Sequence, residues 1–414
     1  MVSLLAVTIL LGRGSGPAAL GQFSLTVALA SIMQTISTAG LSNAAIHNLL
    51  RKGGNFSHEL RVILAARLIA VPAIFGLGYF LIILVAPDQL PAPSVLLAFF
   101  IGYAIGAVDI GDLSHTAKGH FCHIAIARLA IIVIVFPPKF YFATTGDLNL
   151  TLILLAIETA LWQVLLVPGA GLIQLRAMCY SEVWCLAARQ IWTVRYLWAA
   201  SIVSAVSQRI DLFIVAAMLT VSSVGQYSAA SRPIEATTVL AGSLIAVLFN
   251  AIARNSSSPR LYAMSSRRAS KLMLITGLTI TLLAIILGPP LILLLYGSSF
   301  ELAAQIFIVY SLTIPFIFQE QLLVRILVIE QEHALNFASN VVALFINIGL
   351  NVILIPIFGL MGAAATAALC HPVTLCLTYA LTTRGRELLY LTYVSPFTNE
   401  KFSRATVNRL IRKR

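Results

Sequence analysis

Charged side chains are scarce in this sequence. They make up 10% of its 414 residues, whereas hydrophobic side chains make up 59%. An ordinary soluble domain carries about 25% charged residues, so a chain of this length could not cover a water-facing surface with so few. The apolar residues also cluster in blocks of about 20, the length that crosses a hydrocarbon core of about 30 Å. The sequence therefore predicts a membrane protein and argues against a soluble enzyme.

The sequence also lacks cysteine pairs and complete cofactor motifs. None of its cysteines forms a CxxC pair, so we expect free thiols; they are Cys122, Cys179, Cys185, Cys370 and Cys376. The glycines of Gly12–Gly16 have no βαβ context and predict no dinucleotide site. The segment His120–His123 contains two histidines and a cysteine, but no neighbouring sequence completes a metal-ligand set. We therefore predict no metal and no cofactor.

The remaining polar breaks separate twelve apolar blocks, which predict an all-α fold of about twelve transmembrane helices. The predicted spans are 1–12, 18–46, 61–86, 92–114, 119–136, 150–175, 196–220, 225–252, 271–295, 302–329, 335–357 and 359–383. About 12 residues cannot cross a bilayer, so we interpret the first span as a helix that lacks its cytoplasmic half. A signal peptide is the alternative, but the segment has neither a basic start nor an A-x-A cleavage site.

The net charge of +12 could suggest a nucleic-acid partner. Most of the basic residues instead fall in the connections that follow even-numbered spans and in residues 384–414. This is the positive-inside pattern, and it predicts that these connections and the C-terminus are cytoplasmic. Since no basic surface domain with interleaved aromatic residues is present, we predict the lipid bilayer as partner and no nucleic acid.

A short duplication organises the chain. Leu20–Ser24 recurs as Val224–Ser228, 204 residues later, at matching places in two sets of six spans. Because each set has an even number of spans, the two halves share one orientation and form a parallel repeat. The predicted organisation is therefore a six-helix bundle over 1–175, a cytoplasmic linker over 176–195, a second six-helix bundle over 196–383, and a basic cytoplasmic tail over 384–414.

Several segments together resemble one family. They are Arg13–Pro17 with Leu20–Ser24, Ile210–Phe213 with Val224–Ala230, the turn Leu294–Phe300, and Asn347–Ala364. The chain resembles polysaccharide biosynthesis flippases of the multidrug/oligosaccharidyl-lipid/polysaccharide exporter superfamily. The resemblance implies two pseudo-symmetric bundles in a bacterial inner membrane. It also implies alternating-access transport of an undecaprenyl-pyrophosphate-linked oligosaccharide, with a polysaccharide polymerase and other assembly proteins as further candidate partners.

Ionisable residues at membrane depth are costly and usually face a cavity or one another. In the second half, depth along the helices predicts two cross-helix pairs, Arg209 with Glu235 and Asp211 with Arg232. We expect the arginines to bind pyrophosphate, for which a planar guanidinium is well suited, and the carboxylates to hold them or to bind a coupling cation. A purely structural role in locking two helices together is equally compatible with the sequence.

The first half adds further candidates. Arg128 is a predicted cargo ligand, and Glu158 and Asp109 are predicted charge partners or ion-coupling groups. For Arg67, Asp109 and Asp112 we favour either snorkelling or a mutual ion pair, since all three fall towards the cytoplasmic ends of their spans. We interpret Gly102 and Gly106 as a close helix contact. For Asn347 with Asn351 we favour an interhelical hydrogen-bonding pair over contact with cargo, and for His371 a packing residue over a proton site.

Three other classes of function remain as alternatives to a flippase. A multidrug/cation antiporter of the same superfamily is the nearest, but it would favour an acidic cavity, whereas the deep charges here are balanced. A membrane-embedded polymerase or glycosyltransferase usually has a large outer loop, and the longest expected here spans about a dozen residues around Pro137–Asn149. A channel is disfavoured by the two-bundle repeat. No ATP-binding motif is present, and we predict a transporter rather than an enzyme.

Overall fold

A computed structural model describes residues 2–38, 56–85, 90–166, 195–255, 258–381 and 383–394, together with residues 185, 186, 189 and 192. The protein is all-α, as predicted, and these residues contain no β-strand. They fall into two compact units, Met1–Arg209 and Ile210–Arg414. The predicted linker 176–195 lies largely outside the described residues, and so does Cys179, so that boundary stays a prediction.

The first unit contains seven described α-helices. They are α1 (Val2–Thr38), α2 (Phe56–Val85), α3 (Pro93–Ala107), α4 (Ile110–Ala117), α5 (Phe121–Thr145), α6 (Leu148–Leu166) and α7 (Arg195–Ser207). Helix α1 is central to the unit, since it packs against α2, α3, α5, α6 and α7. One of these contacts is polar: the Trp198 indole nitrogen of α7 donates to the carbonyl of Ile36 on α1.

The second unit contains eight described α-helices. They are α8 (Ile210–Met218), α9 (Val221–Arg254), α10 (Pro259–Tyr296), α11 (Glu301–Ser311), α12 (Ile314–Ile329), α13 (His333–Phe358), α14 (Leu360–Tyr379) and α15 (Thr383–Leu389). A 3₁₀ turn, Ser298–Phe300, precedes α11, and a π turn, Tyr390–Val394, follows α15. Most of the predicted basic tail lies outside the described residues.

Among the described residues, nine helices are long and apolar enough to cross a membrane. The number rises to eleven if α7 with α8, and the 3₁₀ turn and α11 with α12, are each counted as one bent span. The sequence predicted twelve because it counted the beginning of α1 separately. The breaks at Gly16 of α1 and between α7 and α8 are backbone features that hydropathy does not reveal.

Gly16 marks where the two predicted spans 1–12 and 18–46 meet inside α1. Its backbone has φ 77° and ψ −174°, a conformation open to glycine but not to other residues, and Pro17 follows it. Thr220, 204 residues later, is the extended N-cap residue of α9. Each copy of the duplicated segment therefore begins four residues after a break in helical geometry, which agrees with the proposed repeat.

Helix α5 corrects the prediction for the span 119–136. The helix continues through Pro137 and Pro138 to Thr145, and Gly146, with φ 80°, ends it. Prolines are tolerated within membrane helices because neighbouring groups can satisfy the freed carbonyls. The outer connection expected around Pro137–Asn149 is thus reduced to Gly146 and Asp147. Lys139, which falls within the range of that expected connection, lies instead inside a helix.

Helices α3 and α6 pack closely at glycine residues, as predicted. A Cβ atom at Gly102 would lie 2.6 Å from both the Cβ and the carbonyl oxygen of Ala156. A Cβ at Gly106 would lie 3.2 Å from the carbonyl oxygen of Thr159. The two glycines therefore allow the backbones of α3 and α6 to approach each other and fix the position of Glu158, which lies between these contacts on α6.

Two of the recognised sequence segments contact each other in the second unit. The Gln226 amide of α9 donates to the carbonyl of Ser299 at 2.7 Å and accepts from the amide of Ala303 at 3.0 Å. Gln226 thereby holds the turn that begins at Gly297, whose φ is 94°. The segments Val224–Ala230 and Leu294–Phe300 are thus a helix and the turn that it anchors.

The asparagine pair of α13 differs from the prediction. The Asn351 amide donates to the carbonyl and to the side-chain oxygen of Asn347, at 2.9 and 2.8 Å, within the same helix. The pair shares a helix face, as its spacing indicates, but these hydrogen bonds do not run between helices. The end of α13 packs closely on α14 at Gly362. A Cβ atom added at Gly362 would lie 2.2 Å from the carbonyl oxygen of Leu354.

An ion-pair network lies where α12 and α15 meet. Arg384 binds Glu330, with its Nη2 at 2.5 Å, and Glu387, with its Nη1 at 2.7 Å. Burial by itself lowers the pKa of Arg384. The hydrogen bonds and negative charges of Glu330 and Glu387 raise this pKa by more than burial lowers it, so the pKa lies above the usual value. The network fixes the chain at the start of the basic tail.

Candidate functional site

The first unit contains a cavity of about 530 Å³ that carries charges of both signs; we call it the polar cavity. It lies among helices α1, α3, α4, α5 and α6. Its lining residues are Gln34, Thr35, Thr38, Gly106, Asp109, Asp112, Arg128, Ile131, Ile132, Glu158, Thr159, Trp162 and Gln163. The cavity therefore contains three predicted site residues, Arg128, Glu158 and Asp109.

Asp109 interrupts the fourth predicted span between α3 and α4. Its backbone is left-handed, with φ 60° and ψ 10°, a conformation that aspartate tolerates better than most residues. The interruption directs both Asp109 and Asp112 to the polar cavity. Residues held in such uncommon backbone conformations are often found at functional sites.

Each carboxylate of the polar cavity has a cationic partner. Arg67 contacts Asp109 at 3.4 Å, as predicted, and Arg128 contacts Asp112 at 3.1 Å. Lys139 pairs with Glu158. Three carboxylates are thus matched by three cations, and the pairs as a group carry no net charge.

The three cations differ greatly in exposure. The side chains of Arg67 and Lys139 are 0% and 1% exposed, whereas that of Arg128 is 58% exposed. Arg67 also donates to the carbonyl of Ser37 at 2.9 Å, and Lys139 to the hydroxyl of Ser3 at 3.0 Å. Arg67 and Lys139 therefore hold helices together, whereas Arg128 is accessible from the cavity.

Trp162 holds the guanidinium of Arg128 from another side. The Arg128 Cζ atom lies 4.0 Å from the centre of the Trp162 ring, within the range of a cation–π interaction. Trp162 also forms a side-chain hydrogen bond with Asp112. Arg128 is seven residues into α5, about 10 Å along the helix from its start. A guanidinium fixed in this way can accept an anion without first being ordered.

Arg209 lines a second, smaller cavity of the same unit, of about 240 Å³. Its other lining residues come from α1 and α7 and include Ser31, Thr35 and Ser204. Thr35 of α1 lines this cavity as well as the polar cavity. Two of the three predicted cargo-binding arginines, Arg128 and Arg209, therefore line cavities that share Thr35 of α1.

The remaining predicted site residues lie in the second unit. Arg232, the third predicted arginine, contacts Glu235 at 3.6 Å, three residues further along α9, an arrangement that depth matching did not anticipate. Asp211 accepts a hydrogen bond from the Tyr227 hydroxyl at 2.6 Å. The cross-helix pairs of Arg209 with Glu235 and Asp211 with Arg232 stay predictions.

Sequence reasoning missed Lys139 and Trp162 as parts of the polar cavity. Lys139 was missed because two consecutive prolines indicated that the helix had ended. Trp162 lies four residues after Glu158 and therefore on the same face of α6, a spacing that could have identified it.

His371 has a charged neighbour that the sequence did not reveal. Its Nδ1 lies 3.2 Å from Glu320 of α12, and its ring lies parallel to that of Phe316. As for metals, no group of three or more His, Cys, Asp or Glu side chains in the described part of the chain could hold a metal ion.

Comparison with solved structures identifies the fold. The lipid II flippase MurJ, in an inward closed conformation, matches with a TM-score of 0.72 over 99% of this chain and 94% of its own, at 15% identity. A multidrug resistance MATE family transporter of the MOP superfamily, inward-facing, matches with a TM-score of 0.64 over 95% and 96%, at 14% identity. A MOP superfamily transporter from Pyrococcus furiosus matches with a TM-score of 0.57 over 95% and 93%, at 15% identity.

Comparison of sequences identifies the family. No curated protein matches this chain by sequence. The family model described as polysaccharide biosynthesis protein matches residues 10–305, which is more than half of the chain. This agrees with the resemblance of the sequence segments and with the MOP superfamily fold, which is shared by flippases and transporters. The chain therefore belongs to the polysaccharide biosynthesis protein family.

Proposed function

We propose that this chain is a flippase that moves an undecaprenyl-pyrophosphate-linked oligosaccharide across a bacterial inner membrane, for surface polysaccharide biosynthesis. The observation that carries the proposal is the exposed guanidinium of Arg128 in the polar cavity. The family to which the chain belongs and the fold shared with a lipid II flippase support the same class of cargo.

Pyrophosphate is the part of this cargo that Arg128 suits. A planar guanidinium donates two parallel hydrogen bonds to a phosphate group, and charge-assisted bonds of this kind are stronger than neutral ones. One of these donors, Nη2, donates to Asp112. The pyrophosphate replaces Asp112 as the acceptor, while Trp162 keeps the guanidinium plane in place.

The prenyl tail of the cargo remains in lipid throughout. Transfer of each CH₂ group into water costs about 0.8 kcal/mol, so a long polyprenyl chain cannot pass through an aqueous cavity. Alternating access moves the head group only, through a chamber that opens to one side of the membrane at a time. Because no ATP-binding motif is present, we assign the driving force to an ion gradient or to consumption of the product outside.

The other predicted site residues have supporting roles in this proposal. Arg209 and Arg232 are further ligands for pyrophosphate or sugar, reached as the head group moves. Asp109 and Glu158 keep the cations of the polar cavity in position, and Asp211 and Glu235 are charge partners or sites for a coupling ion. The basic connections and the C-terminus face the cytoplasm, where a cargo of this kind is assembled.

A multidrug/cation antiporter is the nearest alternative. Such a protein needs a carboxylate that is free to bind a cationic drug. In the polar cavity, Asp109, Asp112 and Glu158 each contact a basic side chain already. The balance of charge therefore favours an anionic head group over a cationic drug.

A binding experiment on the purified protein tests the proposal. The probes are undecaprenyl pyrophosphate, undecaprenol, which has the same tail without phosphate, and ethidium, a cationic drug analogue. We expect undecaprenyl pyrophosphate to bind at least about tenfold more tightly than undecaprenol, since one charge-assisted contact contributes about 1.5–3 kcal/mol. Equal affinity for the two lipids together with saturable ethidium binding would instead identify an antiporter.

A further inference from the structure

Residues 236–300, which include all of α10, contain five basic residues and no carboxylate. The basic residues are Arg254, Arg260, Arg267, Arg268 and Lys271. All of them except Arg267 are exposed, and these four, which we call the basic cluster, form no ion pair with a carboxylate of the described residues. Arg128 and Arg384 elsewhere do form such pairs. The basic cluster is therefore a surface of uncompensated positive charge.

Contacts on the opposite face of α10 keep the basic cluster on the outside. The Tyr262 hydroxyl donates to Glu330 of α12 at 3.0 Å, and the Ser270 hydroxyl donates to the carbonyl of Thr392 in the π turn. Tyr262 and Ser270 are buried and lie eight residues apart, so they share one face of the helix. These contacts fix the rotation of α10 about its own axis, and the cations are held on the side away from the rest of the unit.

The outer side of α10 continues from the cations into an apolar stripe. Exposed leucines and isoleucines recur along the helix from Leu272 to Leu294. At 1.5 Å per residue this stripe is about 33 Å long, close to the thickness of a hydrocarbon core of about 30 Å. Lys271 lies directly before the stripe, and Arg268 lies about 4–5 Å further along the helix. Since each head-group layer adds about 5–7 Å to the core, both cations lie at the depth of lipid phosphates.

We propose that Arg268 and Lys271 bind the head-group phosphate of an anionic phospholipid of the phosphatidylglycerol class. The two residues are three apart and therefore neighbours on one side of the helix, so one phosphate can accept hydrogen bonds from both. The acyl chains of the same lipid lie along the exposed side chains of Leu272 and Ile275. Arg254 and Arg260 add attraction over a longer distance, as basic clusters next to a membrane span do.

The charge of the cluster selects the kind of lipid. A zwitterionic lipid such as phosphatidylethanolamine carries an ammonium group, which the cluster repels and for which residues 236–300 offer no carboxylate. A free phosphate ion lacks the acyl chains that contact the apolar stripe. The bound lipid stabilises the part of α10 that holds Glu330 and the π turn, and thereby the ion-pair network of Arg384.

The test is a competition assay on the full chain, purified in a nonionic detergent, with fluorescent phosphatidylglycerol as the probe. We expect unlabelled phosphatidylglycerol to displace the probe at a concentration at least about tenfold lower than phosphatidylethanolamine with the same acyl chains, and salt to weaken binding. Arg268→Gln/Lys271→Gln should weaken binding about twenty- to thirtyfold, since each basic residue near a membrane surface contributes a factor of about five. Both residues are exposed, so the unfolding temperature without added lipid should stay that of the wild type.

The matched control is Lys118→Gln/Arg325→Gln, which also removes one exposed lysine and one exposed arginine. Its affinity for phosphatidylglycerol should stay within about twofold of the wild type. The proposal is overturned if the two lipids compete equally, or if the control loses as much affinity as Arg268→Gln/Lys271→Gln. Displacement of the probe by inorganic phosphate as effectively as by phosphatidylglycerol would also overturn it, in favour of a site for free anions. None of these outcomes depends on the transported cargo.

Discussion

At the residue scale, the polar cavity depends on how each charge is held. Arg67 and Lys139 are buried and bind groups on other helices, so their positive charges are committed to structure. Arg128 contacts one carboxylate and one aromatic face while more than half of its side chain stays exposed. An ion pair therefore joins helices where its cation is buried, and it leaves the cation accessible to a ligand where the cation is exposed.

Substitution of Arg128 tests its role as an anion ligand. Arg128→Ala should weaken binding of undecaprenyl pyrophosphate by about ten- to a hundredfold, the equivalent of about 1.5–3 kcal/mol for a charge-assisted contact. The affinity of Arg128→Lys should lie between those of the wild type and Arg128→Ala, since lysine keeps the charge but loses the planar pair of donors. Affinities of the purified variants in detergent measure this directly.

Arg325→Ala is the control for this series, because Arg325 is also an exposed arginine near an aromatic ring, 6.0 Å from that of Phe249. It should bind undecaprenyl pyrophosphate like the wild type. If Arg128→Ala stayed within twofold of the wild type, Arg128 would have no part in recognising the cargo.

The pair of Lys139 and Glu158 should act on stability rather than on specificity. Removing one member of a buried ion pair leaves an uncompensated charge and costs about 3–5 kcal/mol. Lys139→Met should therefore lower the unfolding temperature markedly, and Lys139→Met/Glu158→Gln should recover at least half of the loss. Thermal unfolding of both variants in detergent checks this, and a double variant no more stable than Lys139→Met would show that the pair is not coupled.

At the scale of the element, close packing of α3 on α6 sets the shape of the polar cavity. Both helices contribute lining residues, and Gly102 and Gly106 allow them to approach each other. The left-handed Asp109 then separates α3 from α4. The position of the carboxylates thus follows from two glycines and one aspartate that lie within eight residues of one another.

Gly102→Ala tests this contact. The added methyl group would lie 2.6 Å from Ala156, too close for either helix to stay in place, and overpacking of this kind costs about 1–3 kcal/mol. Gly106→Ala should cost less, since its nearest contact is at 3.2 Å. Thermal unfolding temperatures measured in detergent show which of the two variants is less stable.

Two other helical glycines provide the controls. A Cβ at Gly76 of α2 or at Gly242 of α9 meets nothing within 4 Å, so alanine should cause no loss of stability at either position. A variant Gly102→Ala as stable as Gly76→Ala would mean that α3 and α6 are not packed as tightly as the structure indicates.

Helix positions could be predicted from the sequence where hydropathy alone decides them, and α2, α13 and α14 lie close to the predicted spans. Hydropathy failed where backbone geometry decides. Pro137 and Pro138 indicated a helix end, yet the helix continues because the membrane environment gives the chain no better way to satisfy its backbone groups. Asp109, as one polar residue in an apolar run, gave no sign of the break that it makes.

The candidate site was predictable to a similar degree. Arg128, Glu158 and Asp109 could be identified because charged side chains are costly at membrane depth. The structure places all three in one cavity. The pairing of charges across helices was not predictable from depth, because depth along a helix does not determine which face a residue occupies. Arg67 with Asp109 was an exception, since only these residues and Asp112 lay near the same ends of their spans.

At the scale of the whole molecule, the fold is similar to that of a lipid II flippase and of MATE family transporters. Their identity to this chain, 14–15%, reveals the fold and leaves the cargo to be determined from the residues. The lipid-linked saccharide that we propose as cargo is supported by the family match and by the charge-balanced cavity with its exposed arginine.

Translocation in vesicles tests this account most directly. The protein is reconstituted into liposomes that contain a fluorescent undecaprenyl-pyrophosphate-linked disaccharide, and an impermeant quencher reports how much of the lipid reaches the outer leaflet. We predict that the wild type exchanges the cargo between leaflets, that Arg128→Ala does so at least about tenfold more slowly, and that Arg325→Ala matches the wild type. Exchange by the wild type no faster than in protein-free liposomes, under an imposed ion gradient as well as without one, would contradict the account.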